Sequence, residues 1–284
     1  MQSIKSMSKR ITAISVSREE AEYLLVNPKV VRYYGSMVSA YLDEVFVSIQ
    51  GEGPCVGERH IFVRFLGCDL NCAFCDTPAA RSSRGAKTGC RVQRSSHLPE
   101  RDMLPNPVSA DDLTGICSRL AARGLSRPVI SLTGGEPLLQ ADFLNEWLGA
   151  IRNGFTLYLE TSGILHAEMR LLRGQVDIVS MDMKLPSSTG LRAYWEEHRR
   201  FLSASMGGEV FVKVVVTAGT TLEDVQTAAL LIREQDGRIP LIIQPASGPL
   251  APHPLRLLEL QETAMHSLEH VLVIPQVHTR LGLP

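Results

Sequence analysis

An α/β fold built on a mostly parallel sheet, curled into an incomplete TIM-like β/α barrel, is predicted by three features of this sequence. From Ser109 onward, short apolar runs rich in Val, Ile and Leu alternate with segments of helical periodicity, as in sheets covered by helices on their outer face. Gly and Pro punctuate the joints between them. The chain has 284 residues, of which 44% are hydrophobic, enough for one barrel-type core. Right-handed crossovers between such strands leave an open or complete α/β barrel as the simplest closure. No internal repeat and no strong domain boundary interrupts the pattern, which favours one catalytic domain over 41–284.

Residues 1–40 read as a weakly ordered extension, with Glu19, Glu20 and Glu22 arguing against an acid-poor transit peptide. Asp43 to Gln50 is the first strand, and it runs into Gly51-Glu52-Gly53-Pro54, a sharp turn. His60 to Leu66 is the second. The segment 78–108 is poor in apolar residues and carries Arg81, Arg84, Lys87, Arg91, Arg94 and Arg101, so it reads as a long, solvated basic loop inserted in the domain. Ser109, with Asp112 three residues on, predicts a helix cap, and Leu113, Ile116, Cys117 and Leu120 form one face of that helix before Gly124. Strands follow at 128–133, 155–160, 176–181, 209–216, 240–244 and 270–274. Helices are expected after Gly134-Gly135-Glu136-Pro137 to about Ile151, then near 190–205, 221–236 and 253–268. In the helix at 221–236, Leu222, Val225, Ala229 and Ile232 share a face.

A net charge of −1 gives no global attraction to nucleic acid or to anionic membranes. No stretch approaches the ~20 apolar residues of a membrane span, and the N-terminus lacks the apolar core of a signal peptide. A cytoplasmic protein with reduced thiols is expected. Cys68, Cys72 and Cys75 are spaced CxxxCxxC. Three soft ligands suit a four-iron cluster with one open iron. They equally suit a structural zinc with Cys55, His60, Cys90 or His97 as fourth ligand, and the spacing alone leaves both readings standing. Cys55, Cys90 and Cys117 otherwise read as bystanders.

In parallel α/β folds ligands bind where the C-terminal ends of the strands open. That rule gathers Gln50, Glu52, the three cysteines, Thr133 to Glu136, Glu160 to Ser162, Ser180 to Lys184, Gln244, Gln276 and His278 around one mouth. Such convergence predicts an enzyme rather than a zinc-stapled scaffold.

The cysteine spacing followed by Thr133-Gly-Gly-Glu-Pro137 resembles the radical S-adenosylmethionine (SAM) superfamily. Glu44 to Gly53, Phe62-Val-Arg64, Cys75-Asp-Thr77, Glu160-Thr-Ser-Gly163, Gln244-Pro245 and Gln276-Val-His278 are similar to one family within it, the 7-carboxy-7-deazaguanine synthases of queuosine precursor biosynthesis. The likeness runs from about residue 41 to the C-terminus. It implies a [4Fe–4S] cluster on Cys68, Cys72 and Cys75, with SAM on the open iron and Mg²⁺ at Thr77. SAM contacts are implied for Phe74, Asp76, Gly134, Gly135, Glu136, Ser180, Asp182, Lys184, Gln244 and Pro245. The implied substrate is 6-carboxy-5,6,7,8-tetrahydropterin, converted with loss of ammonia while SAM is regenerated, and read by Ile49, Gln50, Gly51, Glu52, Arg64, Thr133 and Pro284. A homodimer and a flavodoxin- or ferredoxin-like electron donor are implied in the same way.

Each residue also has a plainer reading. Gly-Gly-Glu-Pro alone is an ordinary strand-to-helix turn with Pro137 at the first helical position. Arg64 and Lys184 equally suit structural ion pairs, and His278 a core or surface histidine. The tract Ser180 to Ser188 departs from the shorter Ser-Pro-Lys form of other members. Two other functions compete: a radical SAM activase acting on a partner protein, and a zinc-stabilised module binding nucleic acid through the basic loop. Few aromatic residues accompany that loop, which counts against the second.

Overall fold

The computed structural model describes residues 38–82, 87–121 and 124–284, and residues 38–284 pack as one compact unit. The extension expected over 1–40 thus lies outside the described residues up to Met37, as does Arg84. Its expected end at 40 is corrected: β1 (Ser39–Ala40) pairs antiparallel with β6 (Val108–Ser109), Ser39 opposite Ser109.

Ten strands form the main sheet in the order β12-β11-β10-β9-β8-β7-β3-β2-β4-β5. Seven neighbours run parallel: β3 (Arg59–Phe65), β7 (Val129–Gly134), β8 (Thr156–Thr161), β9 (Ile178–Asp182), β10 (Glu209–Val216), β11 (Leu241–Pro245) and β12 (Val271–Val273). β2 (Leu42–Ile49) joins β3 antiparallel. The expected mostly parallel α/β sheet is what forms. Helices cross between the strands: α1 (Ala110–Leu120), α2 (Ala141–Ile151), α3 (His166–Leu171), α4 (Pro186–Thr189), α5 (Trp195–Ser205), α6 (Leu222–Asp236) and α7 (Pro254–Met265). The Asp112 amide donates to the Ser109 hydroxyl at 3.1 Å, capping α1, and Thr221 caps α6 in the same way through Asp224. On α6 the buried face holds Val225, Ala229 and Ile232 together with Ala228 and Leu231, whereas Leu222 is exposed. Its position one residue after the cap points it away from the sheet.

The period-2 alternation of the strands sorts their side chains into two environments. Outward residues such as Leu132, Leu157, Leu159, Val179, Val212, Val214 and Ile243 are buried under the helices in the large core. Each buried Leu or Val there contributes about 1.5–3 kcal/mol. Inward residues at the base of the sheet, Tyr158, Phe211 and Ile242, pack with Cys55 into a second apolar cluster. Above that floor the same inward positions turn polar: Thr133, Glu160, Ser180, Asp182, Lys213 and Gln244.

The sheet curls but does not close. β2 and β12 stand seven strand spacings apart, about 34 Å in a flat sheet. Yet the Val277 amide donates to the Gly51 carbonyl at 2.9 Å, and the few residues linking each to its strand cannot span that distance. The seam is therefore bridged by the C-terminal segment, whose short α8 (Val277–Arg280) packs over the turn after β2. A Cβ on Gly51 would lie 2.1 Å from His278 Nδ1, so only glycine fits beneath it.

The expected loop at 78–108 is corrected. β4 (Gly89–Gln93) and β5 (Arg101–Pro105) form an antiparallel hairpin that extends the sheet beyond β2. Two acids at the start of β2 hold it: Lys87 and Arg91 bond to Asp43, while Arg64, Arg91 and Arg101 surround Glu44. Lys87, Arg91 and Arg101 are thus partners of buried carboxylates, where a composition argument reads solvated charge, whereas Arg94 pairs with the exposed Asp102. No helix among the described residues is long and apolar enough to cross a membrane.

Candidate functional site

A cavity of about 610 Å³ opens at the C-terminal ends of the strands, and the three motif cysteines form one part of its wall. The loop carrying them leaves β3 through Gly67, whose φ of 99° favours glycine. It is stapled on both sides: Gly67 donates to the Ala80 carbonyl at 2.8 Å, and Ala73 to Thr189 at 3.0 Å. Cys68, Cys72 and Cys75 are half-buried and unpaired. Burial pushes the Cys68 thiol up to about 11 and that of Cys72 upward as well, so a thiolate here calls for a cationic partner such as iron. Cys55, His60, Cys90 and His97 do not line this cavity. His60 instead bonds Ser131 at 2.7 Å beneath the floor, while Cys55 and Cys90 are buried in the apolar clusters.

Gly134 and Gly135 bring the end of β7 against this loop. A Cβ on Gly135 would sit 1.9 Å from the Gly67 carbonyl, and one on Gly134 would be 2.4 Å from that of Phe65. Glu136 departs from its expected place. It is fully buried behind the wall, accepting from the Leu138 amide at 3.1 Å, Thr161 Oγ1 at 2.9 Å and the Ser162 amide at 2.7 Å. Both carboxylate oxygens serve the turn, and Pro137 starts a 3-10 turn after it. Pro245 likewise does not line the cavity, whereas its neighbours Gln244 and Ala246 do. All the other sequence-derived site residues line it: Ile49, Gln50, Gly51, Glu52, Arg64, Phe74, Asp76, Thr77, Thr133, Gly134, Gly135, Ser180, Asp182, Lys184, Gln244 and Pro284, with Gln276 and His278.

A hydrogen-bonded network pre-sets the polar wall. Glu160 accepts from Thr133 Oγ1 at 2.6 Å and from Gln50 Nε2 at 3.0 Å, and Gln50 Oε1 accepts from the Glu52 amide at 3.0 Å. Burial, then the nearby charge of Glu52, pushes the Glu160 carboxyl up. Glu52 accepts from Gln276 at 2.8 Å, Gln244 at 3.1 Å and the Lys213 ammonium. Burial pushes Glu52 up, but the Lys213 charge and these bonds outweigh it and hold the group at about 2. Lys213 lies 3.5 Å from Asp182 Oδ2, which pairs with Lys184 at 2.9 Å. Burial opposes both ammonium charges, yet the surrounding carboxylates prevail and keep them protonated. The Lys184 ammonium also sits 5.4 Å from the Phe74 ring centre in the cysteine loop. Lys184 thus makes an ion pair and lines the cavity at once.

Arg64 does both as well. Its Nε donates to Glu44 at 3.0 Å, and its guanidinium lies over Phe46, which stacks on Phe62 at 5.3 Å. Phe46 and Phe62, which the motifs contain but no site role was expected of, line the cavity, as do Arg81, Lys213 and Leu250 from outside the motifs. Of these, Lys213 carried a legible signal: one cation inside an otherwise apolar strand, in phase with the inward residues Phe211 and Val215. Asp182 Oδ1 and Gln244 Oε1 are among the buried wall atoms with no hydrogen-bond partner among the described residues. Unpaired buried acceptors are costly and mark where a ligand's donors belong. Thr77 begins the 3-10 turn at Pro78 without using its hydroxyl as a cap.

A profile of the Radical SAM superfamily matches residues 62–232, the span from β3 through most of α6. A protein named 7-carboxy-7-deazaguanine synthase from Geobacter sulfurreducens is 40% identical over 87% of this chain and 99% of its own length. The chain belongs to the radical SAM superfamily and, within it, to the 7-carboxy-7-deazaguanine synthase family. A second synthase of that name, from Methanopyrus kandleri, is 37% identical over 83% of the chain and 90% of its own length. Among solved structures, QueE from Escherichia coli superposes with a TM-score of 0.51 at 20% identity, covering 83% of this chain and 94% of that one. TYW1 with a lysine-pyruvate adduct bound gives 0.50 at 15% identity, covering 89% and 90%. These two likenesses concern the fold. Membership of the synthase family sets aside both the zinc-module and the activase readings. A radical SAM member carries a [4Fe–4S] cluster and uses SAM, and the donor set fits: three thiols on one wall, with no further Cys among the lining residues.

Proposed function

We propose that the cavity converts 6-carboxy-5,6,7,8-tetrahydropterin to 7-carboxy-7-deazaguanine with loss of ammonia, as a carbon–nitrogen lyase that regenerates SAM after each turnover. The observation that carries the proposal is the placement, in one cavity, of the three cysteines beside a polar wall of the synthase family's own residues. Cys68, Cys72 and Cys75 would hold the cluster, which with SAM supplies a carbon radical able to take a hydrogen from substrate. Asp182 Oδ1 and Gln244 Oε1 offer their free lone pairs to the donors of SAM, with Ser180, Lys184, Phe74 and Asp76 completing that side. The flat pterin is read by hydrogen-bonding groups around Glu52, Glu160, Gln50 and Thr133. Arg64 presents its guanidinium to the substrate carboxylate, over the Phe46–Phe62 stack. Thr77 offers a hydroxyl to Mg²⁺, a hard cation that takes substrate oxygens as further ligands. Pro284 reaches this wall because Ser48 Oγ donates to its carbonyl at 2.9 Å. A homodimer, a flavodoxin- or ferredoxin-like donor and a cytoplasmic location complete the reading.

The test is an anaerobic incubation of cluster-reconstituted protein with SAM, a reductant and Mg²⁺, with and without the carboxypterin, followed by mass spectrometry. Carboxydeazaguanine formed over many turnovers with SAM conserved is the expected result. Release of 5′-deoxyadenosine without that product would overturn the substrate and leave the radical chemistry.

A further inference from the structure

Lys213 belongs to neither motif, yet it stands where the two halves of the cavity meet. Its strand places it there: Lys213 lies opposite Asp182 in the β9–β10 register and shares the inward face with Phe211 and Val215. Its ammonium donates to Glu52 Oε2, on the turn after β2, and lies 3.5 Å from Asp182 Oδ2, at the end of β9. Glu52 belongs to the wall assigned above to the pterin, and Asp182 to the wall assigned to SAM. Asp182 Oδ2 is shared with Lys184, and Asp182 Oδ1, on a residue that lines the cavity, has no hydrogen-bond partner among the described residues. The three side chains are only 10–15% exposed, so the carboxylates have little water to replace a missing cation.

We propose that Lys213 is a positioning residue for both ligands, one ammonium holding Glu52 toward the pterin and Asp182 toward SAM. The inference rests on the assignment of those two walls to the two ligands. Without the ammonium, Glu52 and Asp182 become two buried carboxylates facing one gap. Glu52, deprived of its cation, then turns away or takes a proton, Asp182 is drawn to Lys184, its remaining cation, and both ligand sets lose their geometry. Glu52 keeps its bonds from Gln244 and Gln276, so the wall is displaced rather than dissolved.

Equilibrium dialysis tests this on the cluster-reconstituted protein under anaerobic conditions without reductant, so that no turnover occurs. Dissociation constants are measured separately for SAM and for the carboxypterin. Lys213→Met is expected to weaken both by about tenfold or more, the size of one lost buried charge-assisted contact. A general loss of structure would give that result too, and two further backgrounds separate the cases. In Glu52→Gln, adding Lys213→Met should leave pterin binding nearly unchanged while still weakening SAM. In Asp182→Asn, adding it should leave SAM binding nearly unchanged while still weakening the pterin. Additive losses in both backgrounds, or a Lys213→Met protein that binds both ligands as the parent does, would overturn the bridge. So would loss confined to one ligand. The Lys213→Met, Glu52→Gln pair removes both charges together and keeps the test available if the single variant fails to fold. A parent protein that binds SAM but not the pterin would sink the substrate assignment, and the bridge would then be overturned along with its pterin half.

Discussion

The backbone amide of Lys184 donates to Nε2 of His198 at 3.1 Å, and the opposite ring nitrogen, Nδ1, donates to the Gly163 carbonyl at 2.9 Å. The imidazole is therefore neutral, with its proton on Nδ1, and fastens the segment after β9 to the turn after β8 from outside the cavity.

Burial, aided by the Lys184 charge, pulls His198 down to about 4 from an ordinary 6.5. The unfolded chain takes up this proton near pH 6.5, whereas the folded chain resists until about 4. The associated stability is thus complete above pH 6.5 and is lost as pH falls from 6.5 to 4, a difference of about 3 kcal/mol. Urea unfolding at pH 7 and pH 5 should show about 2 kcal/mol of this loss in the parent and a smaller one in His198→Gln. Equal pH dependence in the two proteins would refute it.

Iron and labile sulfide should partition the cysteines in two. Alanine at Cys68, Cys72 or Cys75 is expected to abolish a stable four-iron load after reconstitution. A chain carrying Cys55→Ser, Cys90→Ala and Cys117→Ala together should retain it, because these three thiols are buried away from the cavity. The same triple variant should lose about 1–3 kcal/mol of stability from its core positions. A triple variant that cannot hold the cluster would return one of those thiols to the ligand set.

Gly135→Ala places a methyl group on the Gly67 carbonyl, backbone against backbone, with no flexible side chain to yield. Expected are a stability loss of more than about 2 kcal/mol and poorer cluster loading. Gly115→Ala is the contrasting change. Nothing lies within 4 Å of its added Cβ, in the middle of α1, so it should stabilise by about 0.5–1 kcal/mol. Denaturant midpoints of the two variants that moved together would contradict this.

At the hairpin, Glu44→Gln leaves Arg64, Arg91 and Arg101 without their shared carboxylate. A loss of about 1–3 kcal/mol and faster amide exchange over Arg101–Pro105 are expected. Arg94→Ala breaks a pair in which both partners are about half exposed, and it should stay within about 0.5 kcal/mol. Exchange rates unaltered in Glu44→Gln would show that the sheet, not the charge cluster, holds the hairpin.

The parallel strands were legible because residues buried on both faces leave continuous apolar runs such as Pro128 to Thr133, and strand polarity then fixed where the mouth must lie. What escaped was pairing at a distance. Arg91 and Arg101 look solvated until Asp43 and Glu44, 48 and 57 residues earlier, are seen to be buried beside them. The motif points Glu136 toward the cavity, although its place before Pro137 fits equally the cap that it forms. Lys213 hides among neighbours that make its strand look uniformly apolar, although its phase places it inward.

The seam between Gly51 and Val277 has a bearing on how the chain is made. Ser48 meets Pro284 across a separation of 236 residues, so the strands that begin the cavity leave the ribosome long before the segment that completes it. A chain growing at about 5–20 residues per second carries an unfinished pocket for at least about ten seconds. During that interval the cysteine loop is already outside while part of the wall that will face it is still being translated. Order of synthesis thus keeps the reactive chamber open long after its first strands have been made.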